Sequence, residues 1–308
     1  VPYTKTKYPP WSWSNSRKST FEECKRKYYY NYYLSHNGWE DDADEMSKKA
    51  YRLKNMTGIH LILGSAVHEA AEYTCKIISG SGKLPEKKVL IDKVRFLLNQ
   101  AWKESKNPRQ WMQSPKRYFM LYEFYYGYGI SEKVIGKIKK KMNASVPNIL
   151  NSKTVRDIVN NDCTVKITEE VDKFNIEATP VYAIPDLVYR ADSDNWIVVD
   201  WKTGRENEEH DSQINTYSMY LIEKHGVNPD NITGRIEYLT TGKARDVEIS
   251  RNSIQENKEK IRNSISEMQE CLADAENNIP LEMGEYPMME NRKLCKWCNF
   301  YELCHRSI

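Results

Sequence analysis

In the segment IPDLVYRADSDNWIVVDWKTG, Pro185–Asp186 is followed by Asp200–Trp201–Lys202. Two carboxylates on neighbouring extended segments, one of them two residues from a lysine, suit phosphodiester hydrolysis. Hard cations such as Mg²⁺ or Mn²⁺ take oxygen ligands from one or two carboxylates. A cation held there polarises a phosphate and acidifies a bound water. Side chains in a strand repeat every second residue, so Asp200 and Lys202 share a face. Each charge alone would read as a surface ion pair. Ile197, Val198 and Val199 argue otherwise, because charges at the end of a buried strand need a partner or a function.

His68 lies in GSAVHEAAE, four residues before Glu72, so both fall on one helical face. That spacing suits a metal-binding histidine backed by a carboxylate. Gln213 and Tyr217, in QINTY, have the same spacing. On their own they read as a polar edge and a core tyrosine.

The seven cysteines are Cys24, Cys75, Cys163, Cys271, Cys295, Cys298 and Cys304. An odd count without a secretion signal argues against a disulfide framework. Cys295, Cys298 and Cys304 form C-x2-C-x5-C within LCKWCNFYELCHRSI. That supplies three thiolates to a soft-metal site that usually takes four ligands. Cys24, in TFEECKRKYYY, is the best fourth candidate because it too has basic and aromatic neighbours, and His305 is a substitute. Spacing leaves zinc and an iron–sulfur cluster both open. Cys75, Cys163 and Cys271 read as ordinary thiols.

These residues need elements to position them. Ser19 or Thr20 is expected to cap a helix through FEECKRKYYYNYYL, and the charged residues 36–57 read as a loop. Gly64 is expected to open the His68 helix, which Gly80 and Gly82 stop. EKKVLIDKVRFLLNQAWKE reads as the next helix, with Val89, Leu90, Val94, Leu97 and Leu98 buried. Further helices fill 115–143, broken near Gly127 and Gly129, and their basic KIKKKM run reads as a solvated face, with a backbone-phosphate contact as the sharper alternative. From residue 164 the period becomes two. TVKITEEVDKFNI, TPVYAIPDLVYRA and DNWIVVDWKTG read as three meandering strands. NEEHDSQINTYSMYLIEKHG is a helix closed by Gly226, GRIEYLTTGKARDVEIS a β hairpin, and 251–278 a long polar helix.

The layout is an α/β chain in four parts: 1–63, an N-terminal segment with the first cysteine; 64–163, helical; 164–250, an α/β core; and 251–308, a helix and the cysteine cluster. Hydrophobic residues at 40% and charged residues at 29% exclude a disordered chain. No apolar run approaches the ~18 residues of a membrane span. The opening VPYTKTKYPPWSW has no apolar stretch, so a cytoplasmic location is expected. A net charge of +3 announces no nucleic-acid binder unless the basic residues cluster.

Taken together, the motifs resemble the PD-(D/E)XK nuclease superfamily, in its RecB-like branch with a four-cysteine iron–sulfur cluster. That branch includes CRISPR-associated RecB-like exonucleases and AddB-type nuclease domains. Pro185–Asp186 and Asp200–Trp201–Lys202 match the name-giving motif, GSAVHEAAE the G-x3-H-x3-E helix, and Gln213 with Tyr217 the Q-x3-Y motif. SNSRKSTFEECKRKYYY is similar to the segment carrying the first cluster cysteine, and Cys295, Cys298 and Cys304 match the other three. The motifs run in family order from Ser14 to Cys304.

The resemblance implies a restriction-endonuclease-like fold, a central mixed β-sheet flanked by helices, with an iron–sulfur-stapled terminus. It implies Mg²⁺ or Mn²⁺ on His68, Asp186, Asp200 and the Trp201 backbone carbonyl. Lys202 would be catalytic, positioned by Gln213 and Tyr217, with Glu170 a supporting carboxylate. A [4Fe–4S] cluster on Cys24, Cys295, Cys298 and Cys304 would tie the termini together. The expected partner is DNA, through single-stranded ends, gripped by Lys25, Arg26 and Lys27, the neighbouring tyrosines, and Lys296, Trp297 and Arg306. A helicase or CRISPR-adaptation partner fits, although no G-x4-G-K-[ST] is present. About 115 residues separate His68 from Asp186, a longer insertion than compact members carry. The rival reading is a catalytically silent iron–sulfur scaffold subunit of a helicase–nuclease complex. Its signature would be loss of Asp186, Asp200 or Lys202, and all three are present.

Overall fold

The computed structural model describes residues 5–160, 163–168, 172–191 and 194–305, with 166–168 and 305 described by backbone alone. Glu170 and Arg306 lie outside the described residues, as does the His305 side chain.

The N-terminal half is helical. Ser14, not Ser19 or Thr20, caps the first helix, α1 (Asn15–Glu23). The chain leaves helical geometry at Cys24, which caps α2 (Lys25–Tyr29), and continues as a π turn over Tyr30–Leu34. Residues 36–57 are not all loop, because α3 (Glu45–Lys54) forms there on an Asp44 cap and buries Ala50, Tyr51 and Leu53. The helix of His68, α4 (Ile59–Ser81), starts five residues before Gly64 and ends where Gly82 turns left-handed. Then come α5 (Lys87–Ser105), α6 (Pro108–Gln113), α7 (Tyr122–Tyr125), α8 (Glu132–Leu150) and α9 (Lys153–Asn160). On α5, Leu90 and Val94 are buried, but Val89 is exposed and Leu97 and Leu98 are half-buried.

The sheet region departs from a three-strand meander. Its strands are β1 (Thr164–Thr168), β2 (Asp172–Ile176), β3 (Thr179–Ala183), β4 (Leu187–Arg190) and β5 (Trp196–Lys202). After α10 (Glu209–His225) come β6 (Ile232–Tyr238) and β7 (Lys243–Glu248). The central sheet has the order β1-β4-β5-β6-β7, antiparallel except for the β5–β6 pair. The β2–β3 hairpin stands apart from it. The chain ends with α11 (Arg251–Gln269), the small β8 (Leu272–Asp274) and β9 (Ile279–Pro280) pair, and α12 (Tyr301–His305). The polar helix therefore stops at Gln269, short of 278.

Alternation along the strands builds two apolar layers. Leu187, Tyr189, Ile197, Val199 and Trp201 face α4, α5 and α8. Val188, Val198 and Ile236 face α10, α11 and the β2–β3 hairpin. Gly234 lets α10 lie close, since a Cβ there would sit 2.2 Å from Ile214. A third cluster joins Tyr30, Leu53, Met56, Trp111, Phe300 and Leu303, packing the C-terminal segment on the N-terminal helices. Among the described residues no helix is long and apolar enough to cross a membrane.

Candidate active site

The charged residues gather at the end of β5, between α4 and α10. Asp200 is buried at 1% exposure on the α10 face, two residues from Lys202. Lys202 Nζ lies 2.6 Å from Asp200 Oδ2. The contact is one of charge, outside hydrogen-bond angles, so this buried oxygen has no aligned donor among the described residues. Lys202 Nζ donates instead to Gln213 Oε1 at 2.8 Å, and Gln213 Nε2 donates to the Tyr217 hydroxyl at 2.5 Å. The i,i+4 pair on α10 is thus a relay ending on the lysine, rather than a polar edge and an unrelated core tyrosine. Burial, then the charges of Asp200 and Asp186, hold the Tyr217 hydroxyl well above its ordinary value, so it stays protonated.

Asp186 precedes β4 and bridges to both neighbours. Its Oδ2 accepts the Trp201 backbone N–H at 2.6 Å, and its Oδ1 lies 3.3 Å from His68 Nδ1. The His68 ring stands edge-on to Trp201. Burial works to lower the His68 pKa, but the Asp186 charge, its hydrogen bond and Asp200 together raise it. Burial and then the Asp186 charge push the Asp200 carboxyl up to about 7, against the opposite pull of Lys202 and His68. Glu72 is not the partner of His68; it pairs with Lys76 at 2.5 Å along the same helix.

Sequence reasoning missed the support behind Trp201. Glu237, 2% exposed, accepts the Trp201 indole N–H at 3.1 Å and the Thr154 N–H of α9 at 2.9 Å. Nearby Arg235 is buried against Asp157, Asp246 and the Tyr189 hydroxyl. The signal was available in GRIEYL: two charges at period two on an apolar strand face the layer of Val199 and Trp201.

In a separate pocket, Cys24, Cys295, Cys298 and Cys304 lie together with Tyr30 and Phe300. None of the four is in a disulfide. Burial raises the Cys298 thiol to about 12 and also raises Cys295 and Cys304, and the charge of Cys24 adds to each. The Cys24 Sγ caps α2 by accepting the Lys27 N–H. The neighbouring cations expected to grip DNA are engaged internally. Lys27 pairs with Glu23, Arg26 donates to the Tyr286 carbonyl, and Lys25 lies over the Phe21 ring. Tyr28, Tyr30 and Tyr33 are buried in the core, so they offer no stacking surface.

Among the described residues, no three His, Cys, Asp or Glu side chains are gathered closely enough to hold a metal ion as they stand. What fits is the donor chemistry. One end of the sheet presents oxygen donors, a histidine and an orphaned carboxylate oxygen, a set suited to Mg²⁺ or Mn²⁺. The cysteine pocket presents four sulfurs, a set suited to zinc or an iron–sulfur cluster.

The family model of the PD-(D/E)XK nuclease superfamily matches residues 12–305. The chain belongs to that superfamily. Its mixed sheet, flanked by helices with the Asp186 and Asp200–Lys202 pair at one end, is the restriction-endonuclease-like arrangement of PD-(D/E)XK proteins. Such proteins are generally nucleases, hydrolases of phosphodiester bonds in DNA that typically use Mg²⁺ or Mn²⁺. No curated protein matches the chain.

Proposed function

We propose that the protein is a metal-dependent deoxyribonuclease acting as an exonuclease on single-stranded DNA ends. The observation that carries the nuclease reading is the convergence of His68, Asp186, Asp200 and Lys202 at one end of the sheet, while exonuclease action on single-stranded ends follows from the RecB-like resemblance. His68, Asp186, Asp200 and the Trp201 carbonyl would hold the Mg²⁺ or Mn²⁺. When bound, the cation supplies Lewis acidity to the scissile phosphate and acidity to the attacking water. The Lys202 ammonium, fixed between Asp200 and Gln213, aligns that water and offsets negative charge growing on the phosphate. Gln213 can keep accepting from Lys202 because Tyr217 fixes its amide orientation. Asp186 holds the β5 backbone at Trp201, so the carboxylate and the lysine keep their relative positions.

Cys24, Cys295, Cys298 and Cys304 hold a [4Fe–4S] cluster in this reading, with a structural role. A four-thiolate site joining Cys24 to the C-terminal trio closes almost the whole chain and constrains its unfolded state. A setting in DNA repair, recombination or CRISPR adaptation, beside a helicase or adaptation partner, follows from the RecB-like resemblance. The rival scaffold reading loses weight because Asp186, Asp200 and Lys202 are all present and brought together. End-labelled single- and double-stranded DNA, incubated with Mg²⁺, Mn²⁺ or EDTA, tests the proposal. Metal-dependent shortening of single strands from an end supports it, and intact DNA under every condition refutes it.

A further inference from the structure

The unburied residues in the first part of α4 form a stripe of His60, Leu61, Gly64, Ser65, His68 and the acidic Glu69. His60 and His68 are eight residues apart, about 12 Å along the axis. Midway, a Cβ at Gly64 would meet Thr203 Oγ1 at 3.3 Å, so the stripe runs directly beside the exit of β5 and Lys202. On the buried side α8 packs on α4, and Ile138, Met142 and Val146 share one core cluster with Ile59, Ile62 and Ala66. Lys137 and Lys141 each precede one of those core residues and stand one turn apart on a lateral edge of α8. Among the described residues neither is in an ion pair. Their field reaches His60, whose pKa is lowered by burial and then by Lys141 and Lys137. At the N-terminal end of the stripe, the Tyr122 ring covers Gly58, the residue that precedes α4. Tyr122 stands 6.3 Å from the Trp297 ring, which stands 6.1 Å from Tyr128. Trp297 and Tyr128 are 50% and 45% exposed, and Lys296 lies over the indole.

The geometry points to a single-stranded DNA path that stacks bases on Trp297 and Tyr128, contacts phosphates through Lys137 and Lys141, and follows α4 to His68. The far end of this path rests on the nuclease reading, and the near end does not. Unpaired bases offer their faces to exposed rings, whereas a duplex hides them. The basic run of α8 gains a role that a merely solvated face would not have. It also gives part of the long insertion a function.

The test is binding of a fluorescein-labelled single strand of about 20 thymidines, in EDTA, across a salt series. Each phosphate contact on a single strand contributes about 0.7 to the slope of log affinity against log salt. Replacing both lysines, Lys137→Gln with Lys141→Gln, is expected to flatten that slope by about 1.4. Trp297→Ala is expected to weaken binding roughly tenfold at unchanged slope. Lys83→Gln with Lys87→Gln, one in the exposed link before α5 and one at its first residue, is the control and leaves both quantities as in the parent. Far-UV circular dichroism confirms that each variant is folded. An unchanged slope in the Lys137, Lys141 variant overturns the path, as does an unchanged affinity in Trp297→Ala. A protein that cleaves DNA but shows either result keeps the nuclease reading and loses the path. A protein that shows both expected changes but never cleaves keeps the path and loses the nuclease reading.

Discussion

Asp200 is a carboxylate placed where a carboxylate is costly. It is buried, beside another carboxylate, with one oxygen lacking an aligned donor among the described residues. Its folded pKa therefore lies above the unfolded value of about 4. Such a group binds more protons folded than unfolded, so its contribution to stability falls as pH rises from about 4 to about 7. Asp200→Asn removes that loss. In metal-free buffer at pH 8 the variant is expected to be more stable than the parent by on the order of 1–3 kcal/mol, with the gap closing near pH 4. Urea unfolding at the two pH values measures it, and equal stability at pH 8 contradicts the electrostatic account. His68→Ala is expected to weaken Mn²⁺ binding at least tenfold in calorimetric titration, since it removes a proposed ligand beside Asp186. At this scale the sequence was readable where spacing alone decides neighbours. Asp200 with Lys202, and Gln213 with Tyr217, meet through strand and helix periods. The pairing of His68 with Asp186 in place of Glu72 was not readable, because it depends on how α4 lies against the sheet.

Among the elements, β5 carries two of the proposed catalytic residues, Asp200 and Lys202, and is held from both sides. Its end is held by the Asp186 carboxylate at the Trp201 amide and by Glu237 at the Trp201 ring. Glu237 also satisfies the Thr154 N–H in the first turn of α9, so one buried carboxylate ties two elements to the site. Glu237→Ala leaves two buried donors unpaired and is expected to cost about 2–4 kcal/mol in urea unfolding. A loss below about 0.5 kcal/mol would mean that water replaces the carboxylate freely. The β5–α10–β6 order was legible, since apolar runs, helix period and Gly226 all agree. The β2–β3 hairpin was not, because its turn places Glu177 at φ 54° where glycine or asparagine would have been the signal. The start of α4 was missed for a similar reason: Gly64 looked like a boundary but serves close approach inside the helix.

Across the whole molecule, the two ends of the chain meet over the cysteines. Tyr126 donates to the Asn299 carbonyl, Tyr125 to Glu302, and Asn299 to the Leu53 carbonyl. The insertion and the N-terminal helices thus clasp the C-terminal segment independently of any metal. Choosing Cys24 as the fourth cysteine was possible from its neighbours in sequence; the clasp itself was not, since its contacts cross more than 170 residues. Anaerobically purified protein is expected to be brown, with broad absorbance near ~400 nm and about four irons per chain. Cys298→Ser is expected to lose the iron and lower the melting temperature, whereas one zinc and no iron in the parent would replace the cluster with a four-thiolate zinc site. The central claim concerns the other site, and cleavage of end-labelled single-stranded DNA with Mg²⁺ or Mn²⁺ tests it most directly. The parent is expected to shorten the strand only when the metal is present. Asp200→Ala and Lys202→Ala, still folded, are each expected to be slower by a factor of about 100 or more. Equal cleavage by the parent and both variants would contradict the account.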